Sequence, residues 1–167
     1  MTSLNSLGVN SVSGWRRIPI VLCLLSGLSG QSCVKKPMSA ECSEFFSRQR
    51  SERESLFKKY DLELQLRLYR CGLNRRPPDT SLAIYIAEKG EAVVPALLSR
   101  LEMEKDELVQ FGIIDIFHVM AIKGHLRGRS DITDIIRQAV SKMKIRPLRE
   151  MANERLNEFE KNISLKR

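Results

Sequence analysis

Histidine is scarce, with two in the whole chain, and the short patterns that announce a reaction are missing. There is no Gly-rich phosphate loop, no G-x-S-x-G turn, no H-E-x-x-H helix and no cysteine pair at zinc-like spacing. These absences remove the usual footholds for nucleotide, hydrolase and metal chemistry, so the sequence nominates no cofactor and no metal ligand. One pair of side chains keeps an enzyme reading open. Asp115 precedes His118 by three residues on one predicted helix, where the two can hydrogen-bond and shift the imidazole. The competing reading is a structural histidine packed among Phe117, Val119 and Met120. His125 has neither a nucleophile nor a base beside it. Long apolar runs are lacking too, since the stretch from Ile18 to Leu28 is too short to span a bilayer. No nucleic-acid-binding motif is present.

What the N-terminus does contain is an ordered series of signals. Arg16 and Arg17 supply positive charge, Ile18 to Leu28 an apolar core, and Gly27, Ser29, Gly30 and Ser32 a small-residue exit before Cys33. Together they predict a secretory signal peptide over residues 1–32. A small residue directly before a cysteine at the end of such a run resembles the lipobox of bacterial lipoproteins. The resemblance implies a lipidated Cys33 as first mature residue, a membrane anchor and, with Val34 rather than Asp next, an outer-membrane address facing the periplasm. Gly30 stands where that family usually has Leu, and the same residues fit ordinary cleavage to a soluble periplasmic or secreted protein. Residues 33–39 read as a linker, and 40–167 as a single helical domain with room for a proper core.

The clearest pattern in that domain lies between Gly90 and Gly124. Val93, Val94, Leu97, Leu98 and Leu101 recur at steps of three and four, with Pro95 in the first turn. Lys105 and Asp106 make a turn, Asp106 caps the next helix, and Val109, Ile113, Ile116, Phe117 and Met120 form its buried face. Gly90 and Gly124 suit helix stops. The run Pro95-Ala96-Leu97-Leu98, Leu101, Asp106, Val109 resembles one HEAT-type repeat, a helix pair that stacks with its neighbours. Gln110 stands where that family usually has Arg, and no second copy is equally clear. A generic helical hairpin is the alternative. The fold expected is all-α, with five to six helices arranged as a small α-solenoid or HEAT-like stack of helical hairpins.

Elsewhere, a polar helix is expected from Glu41 to about Lys59, then a second with Leu62, Leu66, Tyr69 and Leu73 on one face. Arg75-Arg76-Pro77-Pro78-Asp79 reads as a turn before a short helix from Ser81 to Lys89. Ser130 is expected to cap a helix carrying Ile132, Ile135, Ile136, Ala139, Val140 and Met143. The last helix carries Leu148, Met151, Ala152, Leu156, Phe159 and Ile163. With Cys23 removed and Cys33 acylated, Cys42 and Cys71 remain as a candidate disulfide, which requires a chain break around Tyr60-Asp61. Two free thiols are the alternative.

Arg16 and Arg17 leave with the signal peptide, so the remainder carries 26 basic and 20 acidic side chains, a net +6. The basic loops offer a candidate partner-contact surface at Arg75, Arg76, Arg127 and Arg129. The expectation is an exported, lipid-anchored helical scaffold that binds an unidentified protein partner, without catalysis and without nucleic acid. An immunity or accessory factor for one envelope or toxin partner is the second reading, and an enzyme using Asp115 and His118 the third.

Overall fold

Of the 16 residues in the helix Glu107–Ile122, the polar ones between its ends are Gln110, Asp115 and His118. A helix that is apolar over most of its surface has to be covered on most sides, and this one becomes the centre of the domain. The computed structural model describes residues 39–164. The predicted signal segment 1–32, Cys33 and the linker before Ser39 lie outside the described residues.

Among the described residues there are eight α-helices and no strands, so the fold is all-α. They are α1 (Ala40–Ser47), α2 (Arg50–Lys59), α3 (Leu62–Leu73), α4 (Ala83–Ala87), α5 (Val94–Met103), α6 (Glu107–Ile122), α7 (Ser130–Lys142) and α8 (Arg146–Ser164). A 3-10 turn, Gly90–Val93, leads into α5. Helix α6 packs along α8 and also touches α3, α4 and α5, while α5 lies on α7 and α7 on α8. Consecutive pairs therefore form two layers, α5 with α7 and α6 with α8.

The segment expected as one polar helix from Glu41 to about Lys59 is two helices, α1 and α2. Arg48 and Gln49 are extended, with ψ of 157° and 151°. The SRQRSERES stretch has too little apolar surface to hold a straight rod against the core. Bending there brings Phe45 of α1 within 6.1 Å of Phe57 of α2, ring centroid to centroid. Arg48 bridges the bend, bonding Glu44 at 2.8 Å and Glu52 at 2.5 Å. A second break follows at Tyr60, and Asp61 caps α3 by accepting from the Leu64 N–H at 2.8 Å. The chain thus doubles back twice, and Cys42 and Cys71 are joined as a disulfide with Cα atoms 6.1 Å apart.

Other details also depart from the periodicity. Helix α6 buries Phe111, Ile114, Asp115, His118 and Ala121 in addition to its expected face, because α3, α4 and α8 enclose it. Ser130 opens α7 as its first residue and is not its cap. In α8 only Ala152, Leu156 and Phe159 are fully buried, and Met151 is 46% exposed. Asp106 caps α6 through the Leu108 N–H at 3.0 Å, and Gly90 and Gly124 take positive φ at their helix ends.

One close approach depends on a missing side chain. A Cβ at Gly112 would lie 2.8 Å from Leu73 Cδ1 and 3.1 Å from Tyr69 Cε1, so glycine lets α3 settle onto α6. Gly112→Val is expected to lower the unfolding free energy by about 2 kcal/mol in a urea titration, through overpacking at that crossing. Replacing both Cys42 and Cys71 by Ala opens a 29-residue span of chain. Loop-closure entropy puts the loss at roughly 3–4 kcal/mol, measured against the oxidised protein in the same titration.

Candidate functional site

Two groups of polar side chains stand out from the helical framework, one buried and one open to solvent. The buried group ties α3, α6 and α8 together. Tyr69 donates its hydroxyl to Asp115 Oδ2 at 2.9 Å, and Arg155 Nε lies 2.9 Å from Asp115 Oδ1. Arg155 also reaches Glu158 at 3.0 Å, and Glu158 Oε2 sits 2.8 Å from His118 Nε2. Each bond crosses between helices or braces one that does. A buried carboxylate is tolerated because both of its oxygens are engaged, one by a cation.

In this arrangement Asp115 and His118 belong to one chain of contacts but face different partners. Asp115 is 5% exposed and His118 7% exposed, and both sit inside the α6–α8 interface. Burial raises the Tyr69 phenol well above its ordinary range, and the adjoining Asp115 carboxylate adds to this. His118 is shifted downward, first by burial and then by Arg155, against the pull of Glu158 and Asp115. Contact with Glu158 by itself favours a protonated ring. Glu158 is half exposed and also serves Arg155, so burial and the guanidinium prevail.

The open group surrounds the loop after α3. Gly72 O accepts from the Arg75 N–H at 3.1 Å and the Asp79 N–H at 2.9 Å, which folds residues 75–79 back over the helix end. The Arg76–Pro77 peptide is cis. Asp79 Oδ1 accepts from the Ser81 hydroxyl at 2.6 Å and the Ser81 N–H at 3.1 Å, while Oδ2 lies 3.5 Å from Arg53. Phe46, on the last turn of α1, carries two guanidiniums over its ring, Arg75 at 4.6 Å and Arg53 at 5.3 Å from the centroid. Beside them lies an open groove of about 380 Å³, lined in part by Arg50, Arg53, Arg75 and Arg76.

Of the four arginines nominated from sequence, Arg75 and Arg76 share this groove, while Arg127 and Arg129 do not line it. Arg127 folds against Gly124, and the Arg129 fork is occupied by both oxygens of Asp131 at 2.8 Å. Arg50 and Arg53 were missed. Their only signal was a spacing of three within α2, which places them on one helix face. Among the described residues no cluster of three or more His, Cys, Asp or Glu side chains could hold a metal ion. No described helix is long and apolar enough to cross a membrane.

His118 supplies a pH test. An unfolded ring takes up a proton below about pH 6.5, whereas the folded ring resists protonation. Stability is therefore expected to fall as pH drops through that value, levelling once the folded ring is itself charged. His118→Gln is expected to flatten this part of the curve in urea titrations between about pH 7.5 and 5.5, with the His118 resonance titrating below 6.5 by NMR.

Comparison with known proteins adds no assignment to this geometry: no protein-family model, curated protein or solved structure matches the chain.

Proposed function

We propose that this chain is an exported, lipid-anchored α-helical scaffold that acts by binding another protein and not by catalysis. The observation that carries the reading is the Cys42–Cys71 disulfide, which ties α1 to the end of α3. Structural disulfides persist in oxidising compartments and are rare in reducing ones. The disulfide therefore supports the address implied by the charged, apolar and small-residue series that ends at Cys33. The lipobox-like Ser32-Cys33 junction supports an anchor, and Val34 an outer-membrane position facing the periplasm.

Support for a scaffold comes from the layering of α5 on α7 and α6 on α8, the kind of contact by which stacked helical hairpins of the HEAT type present an extended surface. Support for a non-catalytic role comes from Asp115 and His118. Each is buried and engaged by neighbouring helices, which suits a part in holding α8 on α6.

Mass analysis of the mature protein from its native host tests the proposal. The expected result is an N-terminal fragment beginning at a diacylated Cys33, together with recovery in the membrane fraction that Cys33→Ser abolishes. A fragment that keeps Met1, found with soluble protein, would overturn both export and anchoring.

A further inference from the structure

The groove beside the α3–α4 loop is out of electrostatic balance. Four guanidiniums line it and Asp79 is the one carboxylate among its lining residues. That carboxylate is already engaged by Ser81 and Arg53. Arg50 is held by Glu54 at 2.8 Å from one turn along α2. Among the described residues neither Arg75 nor Arg76 forms an ion pair. Arg53, 16% exposed, keeps its Nε–H buried without a partner. Like charges gathered around one cleft repel, and a buried donor without an acceptor costs stability. The repulsion is relieved if an anion sits in the cleft.

The framework holds these groups in place before any ligand arrives. The guanidiniums of Arg75 and Arg53 are held over the Phe46 ring by cation–π attraction. Phe46 is in turn held by the helix that the disulfide ties to Cys71, and it packs against Gly72, where a Cβ would lie 3.4 Å from its Cζ. Two hydrogen bonds to Gly72 O pin the ends of the arginine loop. Pro77 and Pro78 each have a fixed φ, which reduces the entropy lost on binding. Helix α2, ten residues long, begins at the groove with Arg50 and has no side-chain cap from Gln49, so its positive end adds to the same field. A space of about 380 Å³ suits a small charged group.

We propose that the groove formed by Arg50, Arg53, Arg75 and Arg76 binds a phosphate group, with the forks of Arg75 and Arg76 as its principal donors. A phosphate carries more charge and more acceptor oxygens than a carboxylate, and so satisfies several guanidinium forks at once. A soluble phosphoester and a phospholipid headgroup share this chemistry. The assignment goes beyond the scaffold reading and does not depend on export.

Calorimetric titration of the full oxidised chain with inorganic phosphate and pyrophosphate, in low-salt buffer free of other polyvalent anions, tests it. The expected result is saturable binding that weakens roughly tenfold or more in both Arg75→Gln and Arg76→Gln, the loss of one charge-assisted contact. Arg75→Lys, which keeps charge but loses the fork, is expected to weaken binding several-fold, and Arg127→Gln to leave it unchanged. Thermal melts check that each variant keeps its fold, and exposed, unpaired Arg76 is the position least able to disturb it. No saturable binding by the native chain, or full binding by both Gln variants, overturns the assignment. Equal binding by Arg75→Lys overturns the role of the fork. Vesicle sedimentation identifies the source. A preference for phosphatidylglycerol over phosphatidylcholine that disappears in Arg76→Gln and on adding pyrophosphate identifies a lipid headgroup. No such preference, with calorimetric binding intact, identifies a soluble phosphoester.

Discussion

Because α6 is apolar over most of its circumference, the domain must surround it, and most other features follow from how that is achieved. Helices α3 and α4 cover one part, α5 another, and α8 runs along the remainder. Ile113, Ile116, Phe117 and Met120 are all at or below 1% exposure, and transfer of such side chains from water contributes about 1.5–3 kcal/mol each. The helices that provide the cover have narrower apolar stripes and polar outer faces. They gain little from folding alone and are stabilised by what they bury.

Burial on that scale is not directional, so something else has to set how each cover lies. Polar contacts between distant parts of the chain do this. Glu107, at the start of α6, accepts from the Lys144 and Ile145 N–H groups at 2.8 Å each and so positions the entry to α8. Gln65 is fully buried and donates to Phe57 O at 2.6 Å, a carbonyl at the end of α2 that also accepts from the Tyr60 N–H at 3.2 Å. Asp115 orients Tyr69 of α3 and Arg155 of α8 from opposite sides. These bonds add modest net stability, yet leaving one half-made would strand a buried polar group, which makes them selective for a single packing.

Much of this was legible one helix at a time. The stripe from Val93 to Leu101, the Asp106 cap and the glycine stops define local objects, and local rules describe them well. The errors arose where helices meet. The break at Arg48–Gln49 has no proline or glycine to mark it. It exists because Phe45 and Phe57 pack together only if the chain bends. Met151 sits on the predicted stripe of α8 but is 46% exposed. Arg50 and Arg53 lie in a polar helix, and only the fold sets them in one groove with the proline loop.

By itself the sequence determined the all-α class, most helix boundaries, the Asp106 cap and the glycine stops. Each of these depends on residue type and on spacing within about four positions. Only the tertiary structure decided that Asp115 faces Tyr69 and Arg155, that His118 faces Glu158, and that four arginines from two separate segments share one groove. Those arrangements join residues tens of positions apart. They are set by how apolar faces cover one another, and no periodicity within a single helix encodes that.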